Sequence, residues 1–206
     1  MQILRARKNL ELIISQRAEE VLIGCLLGDA YITKLGKIRI EHGLKQKEYL
    51  LWKYKELKSL AYQRIYRARR MDKRNDKLYR FLYITLRQYF RPWRNIWYRD
   101  NKKVFPNDIP ITDLSSAVWY MDDGYLDEGR RFMISIDGFS EEDKEKIKIF
   151  FQQRLSLGTL VHSQKKLLIR KCSMGDFLKR IKPFILPCMK YKIPNPVTTD
   201  SQFEMR

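Results

Sequence analysis

The stretch that decides the fold reads Ser116-Ala117-Val118-Trp119-Tyr120-Met121-Asp122-Asp123-Gly124-Tyr125-Leu126. A mostly apolar run ends abruptly in two carboxylates and a glycine, which predicts the last turn of a buried helix that delivers acids to a surface. An earlier stretch has the same shape: Leu22-Ile23-Gly24-Cys25-Leu26-Leu27-Gly28-Asp29-Ala30-Tyr31-Ile32. Aligning the two stretches places the acids Asp29 and Asp123 94 residues apart.

A second pair of matching features turns this similarity into a repeat. Lys103 precedes a Phe-Pro-Asn segment 74 residues after Asp29, and Lys192 precedes a Pro-Asn pair 69 residues after Asp123. Two features that recur in the same order at nearly the same spacing indicate two copies of one structural unit.

At these residues the chain resembles the LAGLIDADG homing endonucleases, in the single-chain form that carries both motifs. Asp29 and Asp123 fall on the acidic eighth position of the nine-residue motif. Lys103 and Lys192 fall where the closest branch of that family has basic residues beside its metals. The second motif is close to the family's form, whereas Ala30 replaces the ninth-position glycine of the first and relaxes the turn. The resemblance spans roughly residues 15 to 196.

The coarse pattern of each half is helix, two strands, helix, two strands, helix. We therefore predict an α+β fold of two pseudo-symmetric αββαββα subdomains that pack through their motif helices, with two antiparallel sheets forming a DNA-binding saddle. The first subdomain is expected over residues 1–105 and the second over 111–206. Residues 106–110 form the expected linker, because its two prolines cannot continue a helix.

Three helices are predicted in the first half, over residues 15–28, 45–61 and 87–99. Gly24 and Gly28 lie four residues apart on one face of the first helix. That face has no side chains to hold a neighbour away, which favours close packing against the second motif helix.

The charge of the chain indicates a polyanionic partner. Lysine and arginine outnumber the acids by 42 to 24, for a net charge of +18, and a surplus of this size favours nucleic acid. Residues 64–103 contribute 14 basic and three acidic residues, with aromatic residues between them. A solvated tail would lack the aromatic residues, so this basic segment is expected to be folded.

The cysteines and histidines exclude several classes of site. Cys25, Cys172 and Cys188 have neither metal-ligand spacing nor an even count, which favours an intracellular, reducing compartment. A prokaryotic cytoplasm and an organelle cannot be distinguished from the sequence. His42 and His162 are isolated, which argues against a zinc site and a histidine-based nuclease. No apolar run reaches membrane-spanning length, so no membrane partner is expected.

Parallel packing of the motif helices would bring Asp29 and Asp123 together. Two close carboxylates repel, and a shared divalent cation relieves the repulsion. Carboxylates and free helix-end carbonyls are hard ligands suited to Mg²⁺, or to a similar ion such as Mn²⁺. The predicted ligands are the two acids and the carbonyls of Gly28 and Asp122. Because Asp122 has no acidic counterpart in the first half, its side chain is expected to be supporting or structural.

The catalytic set predicted for phosphodiester hydrolysis is Asp29, Asp123, Lys103 and Lys192. Metals bridging the acids can activate water, and a lysine near each scissile phosphate can stabilise charge or polarise the attacking water. One acid and one lysine in each half imply one cut on each strand. The family resemblance further implies cleavage across the minor groove that leaves short 3′ overhangs.

Outward-facing basic residues of the two sheets are the predicted DNA contacts, since β-ribbons fit the major groove. Most are expected to contact phosphates and only some to read bases. The set comprises Lys34, Lys37, Arg39, Arg64, Arg67, Arg69, Arg70, Lys73, Arg80, Lys165, Lys166 and Arg170. The two halves differ at nearly every one of these positions, so an asymmetric target site is expected.

Three functions are consistent with the sequence. The leading hypothesis is a free-standing, intron-encoded, Mg²⁺-dependent endonuclease that acts as a monomer and cuts both strands of a long asymmetric DNA site. The alternatives are an RNA-binding group I intron maturase, whose partner is host intron RNA, and a DNA-binding regulator that has lost cleavage. The presence of both acids and both lysines argues against the regulator.

Overall fold

The structure, a computed structural model, describes residues 2–5, 11–72, 76–163 and 165–194. The helices are α1 (Gln16–Leu27), α2 (Lys47–Glu56), α3 (Arg91–Trp97), α4 (Asp113–Asp123), α5 (Glu141–Leu155) and α6 (Met174–Ile181). The strands of the first half are β1 (Gln2–Arg5), β2 (Glu11–Ile14), β3 (Tyr31–Ile32), β4 (Ile38–Gly43), β5 (Tyr66–Asp72), β6 (Lys77–Thr85), β7 (Tyr98–Arg99) and β8 (Lys102–Lys103). Those of the second half are β9 (Gly124–Asp127), β10 (Arg131–Ser135), β11 (Thr159–His162) and β12 (Lys166–Ile169).

The two halves have the same topology, which confirms the predicted α+β repeat. One four-stranded antiparallel sheet has the order β3-β4-β6-β5, and the other has the order β9-β10-β12-β11. In each sheet, the later strand of the second hairpin pairs with the later strand of the first hairpin. Both sheets therefore have the same connectivity. The motif helix precedes its sheet in both halves.

The motif helices α1 and α4 pack directly against each other. Ser15 caps α1 and Thr112 caps α4, each by accepting a hydrogen bond from the amide three residues on. A Cβ atom added at Gly24 would lie 2.6 Å from both the Ser115 carbonyl oxygen and the Val118 Cβ. The predicted close approach at the glycine face is therefore present, and the helices form the centre of one continuous hydrophobic core.

Two predicted helices proved too long. The second was expected over residues 45–61, but α2 covers Lys47–Glu56 and is preceded by a 3-10 turn at Leu44–Gln46. Beyond it the chain turns, and Ala61 pairs with Leu86, the residue that follows β6. The third was expected over residues 87–99, but α3 begins at Arg91, because its proline fits only the first turn.

The hairpin β7–β8 was not predicted, although it carries Lys103. Its strands are only two residues each, too short to show alternation. Its turn is formed by Asp100 and Asn101, which have φ values of 51° and 61°. Asp and Asn tolerate positive φ values, so the Asp100-Asn101 pair is the sequence feature that could have predicted this turn. The N-terminal hairpin β1–β2 was also not predicted.

The expected linker lies outside regular secondary structure. Just before it, the Phe105 ring packs 6.4 Å from the Phe139 ring and 5.9 Å from the Phe150 ring, measured between centroids. The connection is thereby held against the second half. The subdomain limits at residues 105 and 111 remain a prediction. In the part of the chain that the structure describes, no helix is long and apolar enough to cross a membrane.

Candidate active site

The two motif acids lie at the ends of the packed helices. Asp123 is the last residue of α4, and Asp29 follows the residue that caps α1. Burial and repulsion from Asp122 raise the pKa of Asp29 to about 6. Burial, with repulsion from Asp29 and Asp122, raises the pKa of Asp123 to about 7. These carboxyls share one electrostatic environment, in which a nearby cation stabilises the ionised forms.

Each predicted lysine contacts the motif-helix end of its own half. Lys103 Nζ donates to the Gly28 carbonyl at 2.8 Å, and Lys192 Nζ donates to the Met121 and Asp122 carbonyls at 2.6 and 3.0 Å. Burial lowers the pKa of both lysines, although the neighbouring acids oppose this effect. The similar spacing in sequence therefore corresponds to equivalent places in the two halves.

The carbonyls of Gly28 and Asp122 were also predicted as metal ligands. In the structure both accept hydrogen bonds from lysine ammonium groups, which already bring positive charge to these oxygens. The carboxylates of Asp29 and Asp123 are hard anionic donors at the two helix ends, and metal binding by them is also a prediction. Metal binding by the carbonyls remains a prediction.

A buried polar network beside Asp29 was missed by the sequence interpretation. The Asp122 side chain is 0% exposed, and its Oδ1 accepts a hydrogen bond from Lys53 Nζ at 2.6 Å. The same ammonium group donates to His42 Nε2 at 2.9 Å, and His42 Nδ1 lies 3.2 Å from Gln46 Oε1. Because the amide oxygen of Gln46 can only accept, Nδ1 carries the proton and the imidazole is neutral.

The charges of this network follow from its burial. Burial and the nearby Lys53 ammonium lower the pKa of His42 to about 3. Burial alone would lower the pKa of Lys53, but attraction by acids, chiefly Asp122, outweighs it and raises that pKa. A sequence signal existed, since Lys53 stands between Leu50 and Leu57 on the apolar face of α2. A charged residue at a buried helical position requires a partner.

One oxygen or nitrogen atom from each of Asp29, His42 and Asp122 lies within 4.8 Å of the others. Such a group could in principle hold a cation. Lys53 already supplies one, because its ammonium bonds both His42 and Asp122. Part of the negative charge of this cluster is therefore already neutralised by Lys53.

The face of the first sheet that points away from the helices is aromatic and basic. Tyr66 stacks on Tyr83 at 4.9 Å, and Tyr79 stacks on Phe81 at 5.6 Å. The Arg39 guanidinium lies 3.8 Å from the Tyr83 ring centroid, and the Arg70 guanidinium lies 4.9 Å from that of Phe81. Glu41 joins the two arginines, at 2.6 Å from Arg39 and 2.9 Å from Arg70. The face formed by these residues is called the aromatic face, and it comprises Arg39, Glu41, Tyr66, Arg70, Tyr79, Phe81 and Tyr83.

The strand register divides the predicted DNA contacts between the two faces of the first sheet. Arg70 pairs with Tyr79 and so shares the aromatic face with Arg39. Arg67 pairs with Leu82 and Arg69 with Arg80, on the opposite face, where Ile84 packs into the core. Arg67, Arg69 and Arg80 therefore lie on the side of the sheet opposite the aromatic face. The predicted DNA contacts of this sheet do not share one surface.

The other predicted contacts lie at strand ends and turns. Lys34, Arg64, Lys165 and Arg170 are exposed. Lys37 lies 5.6 Å from the Tyr62 ring centroid, and Lys166 Nζ donates to Ser135 Oγ at 2.6 Å on the second sheet. Lys73 lies outside the described residues.

Comparison with known proteins identifies the family. Residues 19–177 match the LAGLIDADG DNA endonuclease family. The chain is 28% identical over 193 residues to the cytochrome b mRNA maturase bI2 of Debaryomyces hansenii, covering 85% of this chain and 73% of that protein. It is 23% identical over 208 residues to the DNA endonuclease I-ChuI of Chlamydomonas applanata, covering 87% and 95%.

A solved structure shares the fold. The homing endonuclease I-WcaI, bound to its DNA recognition sequence, superposes with a TM-score of 0.77 and 22% identity over 89% of each chain. The packed motif helices, the acid at the end of each and the repeated sheets agree with the family match. Because the family match at residues 19–177 spans more than half of this chain, the chain belongs to the LAGLIDADG DNA endonuclease family.

Proposed function

We propose that this protein is a site-specific endonuclease that hydrolyses one phosphodiester bond on each strand of a long asymmetric DNA site. The observation that carries the proposal is the arrangement at the helix ends. Asp29 and Asp123 lie at the ends of the packed helices with raised pKa values, Asp29 contributes to the shift of Asp123, and each half adds a lysine. Two equivalent sets of groups at one centre are suited to two cuts.

A divalent cation, Mg²⁺ or Mn²⁺, is the proposed cofactor, held by the carboxylates of Asp29 and Asp123. Such an ion lowers the pKa of bound water and neutralises negative charge that develops at a phosphate. Burial is the main cause of both raised pKa values, and the carboxylate repulsion that adds to it favours binding of the ion. The fit rests on these oxygen donors rather than on the His42 cluster.

The lysines are placed to act beside the acids. Each ammonium group has three donors. The described contacts of Lys103 use one of them, on Gly28, and those of Lys192 use two, on Met121 and Asp122. The remaining donors can hydrogen-bond a phosphate oxygen or the attacking water, which stabilises charge in the transition state.

The aromatic face is the proposed DNA surface of the first half. Its arginines can bind phosphates or guanine edges, and Glu41 can accept a hydrogen bond from cytosine N4. The second sheet presents Lys166, Arg131 and Tyr125 on its corresponding face. Because the two faces differ in composition, the proposed site is asymmetric.

The test is cleavage of a pool of long duplexes in the presence of Mg²⁺, followed by mapping of the cut ends. Wild-type protein should give paired ends at one sequence, whereas Asp29→Asn and Asp123→Asn should bind the same site and lose at least about 100-fold in cutting rate. EDTA should have the same effect as either substitution.

Asp113→Asn is the matched control. It makes the same chemical change on helix α4, at a carboxylate that pairs with Arg180 at 3.1 Å rather than at the site. Unchanged cutting by both site variants would remove the acids from the mechanism. Binding without cleavage by the wild-type protein would instead identify a DNA-binding regulator.

RNA binding is the second candidate function, because one relative is a cytochrome b mRNA maturase. The same protein should then be titrated with structured group I intron RNA. Tight, salt-resistant binding to that RNA, together with no cutting of the duplex pool, would favour the maturase.

A further inference from the structure

The seventh position of the repeated motif differs between the halves. It is Gly28 in the first half and Asp122 in the second. The two residues face each other, since a Cβ atom at Gly28 would lie 2.5 Å from the Asp122 Cβ and 2.7 Å from its Oδ2. Only glycine leaves room for the carboxylate, so the two positions are complementary.

Asp122 reaches across the helix pair to the catalytic acid of the other half. Its Oδ2 accepts a hydrogen bond from the backbone N–H of Asp29 at 3.3 Å. The carboxylate is held from its other side by Lys53 Nζ at 2.6 Å, and Lys53 is held in turn by His42. The side chains of Asp122, Lys53 and His42 are buried, so their contacts are shielded from water, whereas the bond to the Asp29 amide lies at the exposed end of this network.

Among the described residues, the second half has no corresponding contact. The equivalent bond would join the N–H of Asp123 to a side chain at position 28, and glycine has none. Asp123 is instead the last residue of α4, whereas Asp29 lies beyond the cap of α1, so the two acids are equivalent in the repeat but their backbones are held differently.

We propose that Asp122, fixed by Lys53, is a positioning residue for Asp29 and makes the two strand cuts of this enzyme unequal. The inference rests on the proposed nuclease function. A shift of about 1 Å in a catalytic group can cost 100-fold in rate. Loss of the Asp122 contact should accordingly slow the cut that depends on Asp29 more than the cut that depends on Asp123.

The experiment compares the two strand-cutting rates on a supercoiled plasmid that carries the mapped site, with each strand labelled separately. Asp122→Asn keeps the side-chain volume, but its single oxygen cannot serve both Lys53 and the Asp29 amide in the same way. The ratio of the two rates should change by about tenfold or more, and nicked circles should accumulate. Asp113→Asn, on the same helix, should leave the ratio within about twofold of wild type.

A second variant guards against misfolding. Lys53→Met combined with Asp122→Asn removes both charges together, so no ion is left buried without a partner. This double variant should show the same change in ratio. Equal slowing of both strands in both variants, or no slowing, would overturn the proposal, because a loss of general stability affects both cuts alike.

A measurement without cleavage separates this proposal from the proposed function. Hydrogen exchange at the Asp29 amide should be faster in Asp122→Asn by a factor of about 2 to 10, because a hydrogen bond is lost. Unchanged exchange would overturn the positioning role even in an active enzyme. A wild-type protein that cuts no duplex would refute the nuclease instead, while the exchange result would still decide whether Asp122 holds Asp29.

Discussion

At the scale of single residues, the candidate active site holds several carboxylates in a partly buried environment, which lowers the free energy of unfolding. Asp29 and Asp123 have raised pKa values, and the groups that face them are Asp122, Lys53, Lys103 and Lys192. The three lysines offset the repulsion only in part. Acids with raised pKa values reduce the stability of the fold near neutral pH, which is consistent with the proposed cation site.

The pH dependence of stability follows from these shifts. The carboxyls titrate near 6 and 7 in the folded protein and near 4 when unfolded, so the folded state binds their protons more tightly. Through these groups, the free energy of unfolding falls as the pH rises from about 4 to 7. In EDTA, Asp123→Asn should therefore raise the melting temperature, by more at pH 7 than at pH 5. Thermal unfolding monitored by circular dichroism measures this gain.

Adding Mg²⁺ should reduce the difference, since the ion stabilises only the protein that retains both carboxylates. Asp113→Asn, which alters an exposed pair with Arg180, should show no such gain at either pH. A melting temperature of Asp123→Asn below that of wild type at pH 7 in EDTA would contradict the assigned charge repulsion.

At the scale of elements, the contact of α1 with α4 sets the position of both acids. The closest approach is at Gly24, where the neighbouring atoms belong to the backbone of Ser115 and to the branched side chain of Val118. Neither can move aside easily. The separation of the helices, and with it the geometry of the site, depends on the absence of a side chain at this position.

Gly24→Ala should force the helices apart. The expected cost is about 1 to 3 kcal/mol in the free energy of unfolding, measured by urea denaturation, with a loss of cleavage at temperatures where the protein is still folded. Gly175→Ala in α6 is the matched control, because a Cβ atom there meets nothing within 4 Å. Alanine favours a helix over glycine, so this change should be neutral or stabilising by up to about 1 kcal/mol. Equal stability of the two variants would show that the helices can separate without cost.

At the scale of the whole molecule, the proposed binding of DNA depends on the net charge of +18 and on which sheet face carries the charged side chains. Charge contributes affinity for any polyanion, whereas the placement of side chains decides which charges contact the duplex. Arg70 and Arg69 are neighbours in β5 but point to opposite faces. Substituting each of them in turn therefore separates the effect of total charge from the effect of where that charge lies.

Affinity for the mapped duplex should fall steeply with salt, as expected when several phosphates are neutralised. Arg70→Ala should reduce the slope of log K against log salt by about 1. Arg69→Ala, which removes the same charge from the opposite face, should change the slope less. Fluorescence anisotropy at several salt concentrations measures both. Equal effects would show that the aromatic face is not the principal DNA surface of the first half.

The local sequence determined much of this protein. Caps, apolar runs and proline placement predicted the helices and the two four-stranded sheets, and the repeated acid and lysine positions predicted the residues that lie at the helix ends. Such features depend on neighbours within a few residues, so they can be read along the chain. The ends of α2 and α3 were less predictable. Pairing of Ala61 with Leu86 competes with helix propensity after α2, and the Asp100-Asn101 turn does so after α3.

Only the tertiary structure decided the partners of individual side chains. Lys53 and Asp122 lie 69 residues apart, and no local pattern indicated that they form a buried pair beside Asp29. Strand register likewise separated Arg69 from Arg70, since shifting by one residue reverses the face of a side chain. Contacts between distant segments depend on packing geometry, which is a property of the folded chain as a whole.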